Sequence, residues 1–302
     1  MAEQLAIFGK NIVHSKHAKV VNVASVPQRS PFRYPGGKTW LIPTVREWLR
    51  QEKKIKELIE PFAGGGIVSL TAAFENLAEH ITMVELDEEI AAVWEVIING
   101  NNEWLANKIL MFELSHKNVN EELSNPHKGT NDLAFCTILK NRVFHGGIIA
   151  KGSGMLKHGE NGKGIASRWY PKTLAERIRA INFVKNKISF LQTDAFKVIE
   201  EKCNVEEAYF FIDPPYTKAG KRLYTYFDID HEKLFYSISK IKGKFMLTYD
   251  DTEEIRLLAN KYCLNFRTIA MKTTHHLKKN EIIISDNFEW WTNSTDEYLN
   301  IT

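Results

Sequence analysis

The sequence predicts an α/β fold built on a doubly wound, mostly parallel sheet, and three observations carry this prediction. An apolar run over 55–59 leads into Gly64-Gly65-Gly66 and then into a helical pattern over 67–77, the arrangement that opens such a sheet. Strand-length apolar segments alternate with helical patterns on either side of one interruption, residues 101–184. The apolar run Ala208–Ile212 stops at two prolines, which cannot continue a ladder of hydrogen bonds.

Seven segments have the length and composition of strands. They lie at 55–59, 81–86, 188–191, 208–212, 244–249, 266–271 and 282–285. Helical patterns separate most of them, but no helical pattern lies between the last two, which we therefore expect to form an antiparallel hairpin. The sequence thus predicts a seven-stranded sheet with helices on both faces.

Length and composition are those of a globular protein. The 302 residues are 44% hydrophobic and 25% charged, enough for one large α/β domain or one domain with an insertion. No apolar run approaches membrane-spanning length, and we see no signal peptide. The three cysteines, Cys136, Cys203 and Cys263, are widely spaced in apolar contexts. This favours reduced core thiols in a cytoplasmic protein over a disulfide framework or a zinc site.

The motif Asp213-Pro214-Pro215-Tyr216 places polar groups at the carboxyl end of a buried strand, where open α/β sheets bind ligands. A carboxylate and a proline carbonyl both accept hydrogen bonds, and an exocyclic amine on an aromatic ring has two hydrogens to donate. Fixed acceptors would free the nitrogen lone pair, which is otherwise delocalised into the ring. The Tyr216 ring could stack on the aromatic ring that carries the amine. The motif therefore predicts chemistry on an aromatic amine.

Two earlier loops predict a cofactor site. The loop Pro31-Phe32-Arg33-Tyr34-Pro35-Gly36-Gly37-Lys38 offers an aromatic ring and a cation before a helix. Glu85 ends the second strand about 20 residues after the glycines, where an acidic side chain reaches ribose hydroxyls. NAD would suit the same features. The loop lacks the full Gly-x-Gly-x-x-Gly pattern, however, and no pyrophosphate-binding arrangement is evident.

The interruption carries an excess of positive charge. Residues 131–185 contain ten lysines and arginines against three acidic residues, a net +7 in a chain whose total is +3. Seven of the 17 glycines fall in 146–164, and aromatic residues are interleaved. This composition predicts a nucleic-acid contact surface. The candidate contacts are Arg142, Lys151, Lys157, Lys163, Arg168, Arg177 and Arg179.

The motifs taken together resemble the Dam-like, alpha-group adenine-specific DNA methyltransferases. The resemblance runs from Pro31 to about Ser285. It rests on the Pro-Gly-Gly-Lys loop, on Glu60-Pro61-Phe62-Ala63-Gly64-Gly65-Gly66, on Glu85, on Asp194 and on Asp213-Pro214-Pro215-Tyr216, in the order of that group. Tyr34 stands where the family often has Trp, and Glu85 where it often has Asp. The insert matches only in outline, so the target sequence stays open.

The resemblance implies a seven-stranded S-adenosylmethionine-dependent methyltransferase (Rossmann-like) sheet with a helical target-recognition insert. The implied product is adenine methylated on its exocyclic N6 amine after base flipping in duplex DNA, with no metal. Catalysis is implied for Asp213, Pro214, Pro215 and Tyr216. Cofactor contacts are implied for Tyr34, Lys38, Phe62, Gly64, Glu85, Asp194 and Asp213. Implied divisions are an N-terminal extension (1–30), a catalytic domain (31–100 and 185–302) and the insert (101–184).

The resemblance leaves the biological setting open. Such a protein, bacterial or phage-encoded, works in the cytoplasm at the nucleoid as a monomer or weak dimer. It either accompanies a cognate restriction endonuclease or acts alone as a regulatory or phage methylase. Three rival functions are methylation of RNA or of a protein glutamine amide, a catalytically silent DNA-binding subunit, and an NAD oxidoreductase. The rival methylations more often carry Asn at the position of Asp213 and would not need a basic insert.

Overall fold

The described strands form one seven-stranded sheet. The structure, a computed structural model, describes residues 26–52, 55–126, 129–216, 223–272 and 278–291, so most of the expected N-terminal extension lies outside it. The strands are β1 (Ile55–Glu60), β2 (Ala78–Glu85), β3 (Ile188–Gln192), β4 (Ala208–Ile212), β5 (Lys244–Asp250), β6 (Asn265–Lys272) and β7 (Lys278–Ser285). Their order is β3-β2-β1-β4-β5-β7-β6. The first five run parallel, and β7 is antiparallel to both β5 and β6. The seven-stranded sheet and its terminal hairpin are confirmed.

Helices connect and extend the sheet. They are α1 (Ile42–Leu49), α2 (Ile67–Phe74), α3 (Glu88–Trp94), α4 (Asn102–Met111), α5 (His116–Ser124), α6 (Thr130–Val143), α7 (Pro171–Ile181), α8 (Ala195–Lys202), α9 (His231–Ile238) and α10 (Glu253–Lys261). The helical pattern over 102–124 is two helices, because the backbone becomes extended at Phe112. Among the described helices, none is both long and apolar enough to cross a membrane.

Alternating side chains of the buried strands pack on two helical layers. On one face, Leu58, Tyr209 and Phe211 share a cluster with residues of α1 to α4, α6 and α7. On the other face, Phe210 and Ile212 pack with residues of α8, α9 and α10. All five residues of β4 are buried, as a strand covered on both faces requires. Helices thus cover both faces of the sheet, as the sequence predicts.

Residues 101–184 pack as an extension of one helical layer. Leu105, Phe135, Ile138 and Ile178 are fully buried and belong to the same cluster as the sheet residues of that face. The insert therefore shares its apolar core with the sheet.

The prediction of three core thiols was wrong for two of them. All three cysteines are free, but only Cys136 is buried. Cys203 is partly exposed, and Cys263 is exposed at a residue with φ of 55°. An apolar neighbourhood in sequence does not bury a residue that follows the end of a helix, where the chain turns at the surface.

Candidate active site

A cavity of about 620 Å³ opens at the edge where the parallel strands end. Residues at the carboxyl ends of β1, β2, β3 and β4 all reach it, because parallel strands present the same ends at one edge. These residues are Glu60, Glu85, Asp194 and Asp213. The loop before α1 closes a second side through Tyr34 and Lys38. The sheet thereby brings together motifs that lie far apart in the sequence.

The glycine loop after β1 is shaped by close contacts with the Tyr34 ring. Gly64 has φ of 47°, and a Cβ built on it would lie 2.5 Å from Tyr34 Cε1. The Gly64 carbonyl accepts a hydrogen bond from Trp94 Nε1 at 2.8 Å. A left-handed backbone conformation with no room for a side chain requires glycine at this position. Tyr34 therefore lies directly on the loop, as one wall of the cavity.

Glu85 is fixed by three backbone N–H groups. Gly64 donates to Oε2 at 2.9 Å, while Leu86 and Asp87 donate to Oε1 at 2.8 and 2.9 Å. Removal from water raises the pKa of Glu85 to about 7, although these hydrogen bonds oppose the shift. The carboxyl group is thus held in one orientation and titrates near neutral pH.

Glu60 ends β1 and is 3% exposed. Its carboxylate accepts hydrogen bonds from both the N–H and the hydroxyl of Ser69 in the first turn of α2. Burial raises the pKa of Glu60 to about 8 despite these bonds. The carboxyl group ties the end of β1 to the beginning of α2 and so fixes the loop between them.

Asp213 is held through one of its two carboxylate oxygens. Lys38 Nζ lies 2.8 Å from Oδ1, and the Thr248 hydroxyl donates to the same atom at 2.7 Å. Among the described residues, no donor contacts Oδ2. The side chain is 20% exposed and lines the cavity. One oxygen is therefore fixed while the other is left to accept a hydrogen bond from a ligand.

Lys38 is 3% exposed and has more than one partner. Its ammonium donates to the Gly36 carbonyl at 2.9 Å and lies 4.0 Å from Glu281 Oε2, in addition to pairing with Asp213. Burial by itself lowers the pKa of Lys38, but Asp213 and Glu281 outweigh it and raise the value. Lys38 lines the cavity, and its charge is directed at the carboxylate of Asp213.

Tyr216 lies behind the cavity wall. Its ring stacks on Tyr249 with centroids 5.5 Å apart, and its hydroxyl donates to Glu281 Oε2 at 3.1 Å. Lys38 Nζ sits 4.9 Å from the centre of the same ring. Pro215 lines the cavity, whereas Tyr216 and the buried Pro214 are not among the lining residues. The expected stacking of Tyr216 on a base requires its ring to become accessible from the cavity.

Asp194 and Phe62 also line the cavity. Asp194 caps α8 by accepting a hydrogen bond from the Phe196 N–H at 2.7 Å, and Phe196 lines the same wall. This local capping fixes the carboxylate at the end of β3.

Sequence reasoning missed three residues of this region: Thr248, Tyr224 and Glu281. Tyr224 stacks on Tyr34 with centroids 5.7 Å apart and donates to the Pro35 carbonyl at 2.8 Å. Thr248 lies within the apolar run of β5, and because buried polar groups need partners, this signal could have marked it. Glu281 follows the polar residues Lys278, Lys279 and Asn280 in β7, so no local signal distinguishes it.

The seven candidate DNA contacts differ in their exposure and in their partners. Lys151, Lys157 and Lys163 are exposed, and Arg168 is partly exposed. Arg142 is 4% exposed and donates to the Pro31 carbonyl, so its proposed place on a DNA-facing surface was wrong. Arg177 turns toward the cavity and donates to the Ser30 carbonyl at 3.2 Å. Arg179 forms an exposed ion pair with Glu103 at 2.6 Å.

The burial of Arg142 could not be anticipated from the sequence. It lies near the end of α6, is buried there, and donates to the carbonyl of Pro31. Burial, together with the charges of Arg177, Arg33 and Arg168, lowers its pKa to about 9. A basic residue in a charged segment is usually solvated, but here a contact 111 residues away in the sequence draws it inward.

A family model described as D12 class N6 adenine-specific DNA methyltransferase matches residues 34–277. The chain belongs to this family. The methyltransferase transfers a methyl group from S-adenosylmethionine to adenine in DNA, as the family implies. A search of curated proteins finds no significant match.

Two solved structures that resemble the methyltransferase do so at low identity. A Pyrococcus horikoshii protein assigned as an RNA methyltransferase is 11% identical, with a TM-score of 0.39 over 87% of this chain and 92% of that one. A precorrin-6y C5,15-methyltransferase from Geobacter metallireducens is 11% identical, with a TM-score of 0.34 over 82% and 86% of the two chains. At these values the likenesses carry no argument about function.

The cavity fits S-adenosylmethionine in the chemistry of its lining. Seven carboxyl groups and four basic side chains occur among the described lining residues, which suits a ligand with a sulfonium and an ammonium group. Glu85 presents a fixed carboxyl group of the kind that binds a ribose diol. Asp194 offers an acceptor at the neighbouring strand end.

Proposed function

We propose that the methyltransferase turns an adenine out of duplex DNA and presents its N6 amine to Asp213. The observation that carries the proposal is the asymmetry of this carboxylate: Lys38 and Thr248 hold Oδ1, while Oδ2 faces no described donor. A base inside the stack cannot reach a carboxylate set within a cavity, so the nucleotide must leave the helix. The position of Asp213 within the cavity therefore supports base flipping.

S-adenosylmethionine supplies an electrophilic methyl group on its sulfonium sulfur. In this proposal Asp213 Oδ2 and the Pro214 carbonyl accept the two N6 hydrogens, which draws the nitrogen lone pair out of the ring. Tyr216 stacks on the flipped base after its ring is uncovered. Glu85 binds the ribose diol, Asp194 accepts from the adenine of the cofactor, and Tyr34, Lys38, Phe62 and Gly64 complete the cofactor wall.

The proposed DNA surface consists of Lys151, Lys157 and Lys163, which are exposed, and Arg168, which is partly exposed. We propose 31–100 and 185–302 as the catalytic part and 101–184 as the part that recognises the target. The protein, a monomer or weak dimer, would act in the cytoplasm of a bacterium, as the partner of a cognate endonuclease or as a solitary regulatory or phage methylase. Challenging methylated and unmethylated plasmid with extract of the source cells distinguishes these settings.

Two measurements test the proposal. Incubation with unmethylated genomic DNA and S-adenosylmethionine, followed by modification-sensitive sequencing, should reveal N6-methyladenine at one short sequence. Duplexes with 2-aminopurine at the identified target should then gain fluorescence on binding, because the probe leaves the stack. Methylation at a defined site without any such gain would contradict flipping. Methylation without sequence preference would contradict site-specific recognition.

A further inference from the structure

Glu281 lies beside the proposed reaction centre although it is remote in sequence from the motifs that define it. It is 4% exposed on β7, paired with Asp250 of β5 and Ile269 of β6. Because β7 runs antiparallel to the strands β1 to β5, the first half of β7 lies at the edge where those strands end. The topology of the sheet thus brings a buried carboxylate to the catalytic edge.

Glu281 contacts the groups behind Asp213 and does not line the cavity. Its Oε2 accepts a hydrogen bond from Tyr216 at 3.1 Å and lies 4.0 Å from Lys38 Nζ. Lys38 is 2.8 Å from Asp213 Oδ1 on its other side. One buried ammonium is therefore shared by two carboxylates, one in the cavity and one behind its wall.

The charge on these three side chains bears on methyl transfer. The transfer forms a bond between N6 and the methyl carbon while the electrons of the carbon–sulfur bond return to sulfur. Positive charge therefore moves to N6, and one N6 proton is then released to water. A carboxylate neutralised by an adjacent lysine stabilises such a charge poorly, because the lysine repels it. With Glu281 ionised as well, the three groups carry a formal charge of −1.

We propose that Glu281 is a positioning residue that draws the charge of Lys38 away from Asp213 and so keeps the site negative toward N6. The inference rests on the proposed role of Asp213 in adenine methylation. Glu281 never touches the base or the cofactor, and it acts through Lys38. Its hydrogen bond to Tyr216 also links the stacking ring to the same charge.

Single-turnover methylation at saturating cofactor and DNA tests the inference. Glu281→Gln retains volume and an acceptor for Tyr216 but leaves Lys38 and Asp213 as a neutral pair. We expect the rate to fall about tenfold or more, with cofactor and DNA affinities within about threefold of the wild type. Glu281→Asp, which keeps the charge, should be faster than Glu281→Gln. Equal rates for Glu281→Gln and the wild type would overturn the proposal.

The double variant Lys38→Met with Glu281→Gln separates charge from folding. It restores a formal −1 on Asp213 alone, so we expect it to transfer the methyl group faster than Glu281→Gln, although it lacks two native side chains. A double variant no faster than Glu281→Gln would show that Glu281 does not act through Lys38. Asp286→Asn is the matched control, because it neutralises a partly buried carboxylate at the opposite end of β7. Its rate should equal that of the wild type.

Failure of the broader proposal would look different. Asp213→Ala, measured in the same series, should be slower than any Glu281 variant. If it methylates at a near-normal rate, the proposed role of Asp213 fails. If it is inactive while Glu281→Gln is unaffected, only the role of Glu281 fails. Thermal unfolding followed by circular dichroism establishes that each variant is folded.

Discussion

At the scale of single residues, the site depends on carboxyl groups with different surroundings. Asp213 is paired with the ammonium of Lys38, whereas Glu60 and Glu85 accept only neutral donors in the described structure. Removal from water raises the pKa of Glu60 to about 8 and the pKa of Glu85 to about 7. The three carboxyl groups should therefore respond differently to substitution.

Replacing Asp213 by alanine should abolish most of the chemistry while leaving ligands bound. The missing acceptor acts mainly in the transition state, so turnover should fall roughly 10²- to 10³-fold. The variant also removes the nearest carboxylate of Lys38. Breaking a buried ion pair in this way costs about 3–5 kcal/mol of folding stability. Single-turnover assays below the melting temperature, with calorimetry for both ligands, measure the effect. Near-normal turnover by the folded variant would refute the assignment.

Cofactor affinity should depend on pH through Glu85, whose pKa is raised to about 7 by removal from water. Only the ionised carboxylate accepts from both ribose hydroxyls, so affinity should fall as pH drops below about 7, by at most about tenfold per pH unit. Calorimetric titrations from pH 6 to 9 measure the dependence. Glu85→Gln should bind the cofactor more weakly, and its affinity should lose the pH dependence that Glu85 causes. Titration of the ligand's own amino group is common to both proteins, so parallel pH profiles would contradict the prediction.

At the scale of elements, the junction between β1 and α2 determines whether the cofactor wall can form. Gly64 donates its N–H to Glu85, accepts from Trp94 and contacts the Tyr34 ring. The loop therefore couples the end of β2, helix α3 and the loop before α1. A change in its backbone should disturb all three elements together.

Gly64→Ala should weaken both the fold and cofactor binding. Its positive φ and the approach of the new Cβ to Tyr34 should cost about 1–3 kcal/mol of the free energy of unfolding. Chemical denaturation and cofactor titration measure the two effects. Gly154→Ala is the control, because a Cβ at Gly154 meets nothing within 4 Å, and its effect should stay within about 0.5 kcal/mol. Equal stability of the two variants would contradict the argument.

At the scale of the whole molecule, the distribution of charge separates the DNA surface from the cofactor cavity. The insert exposes the positive charges of Lys151, Lys157 and Lys163. The described cavity lining, in contrast, carries more acidic than basic side chains. A polyanion and a cationic cofactor would thus each meet a surface of opposite charge. Because phosphate contacts release counterions, the two kinds of binding should respond differently to salt.

Neutralising Lys157 or Lys163 should weaken binding to all duplexes. Each side chain that touches a phosphate contributes roughly 0.9 to the slope of log affinity against log salt, so its removal should reduce the slope by that amount. Arg168→Ala should instead cost about 1–3 kcal/mol mainly at the cognate sequence. Titrations of cognate and non-cognate duplexes at several salt concentrations measure both. Arg179→Ala is the control, since its guanidinium already pairs with Glu103. If none of the lysine variants changes the slope, the insert is not the DNA surface.

The sequence by itself determined the order of strands and helices, the end of β4 at Asp213-Pro214-Pro215-Tyr216 and the glycine loop before α2. These features depend on short-range patterns: alternation of apolar runs, prolines that end a strand, and glycines that permit a tight turn. The same motifs carried the resemblance through which the cofactor and the adenine-methylating activity were anticipated. The residues of each motif lie within a few positions of one another, so a reader of the sequence can see them.

Only the tertiary structure decided which polar and charged groups meet. Thr248 reaches Asp213 across 35 residues, and Glu281 reaches Tyr216 across 65, because β5 lies next to β4 in the sheet and β7 lies next to β5. Arg142 is buried by a contact with Pro31, and Lys38 is paired with the carboxylate of a distant motif. Burial and pairing depend on strand register and on the helices that pack on the sheet, and no local sequence pattern specifies either. Burial and pairing in turn determine the charge at the proposed reaction centre.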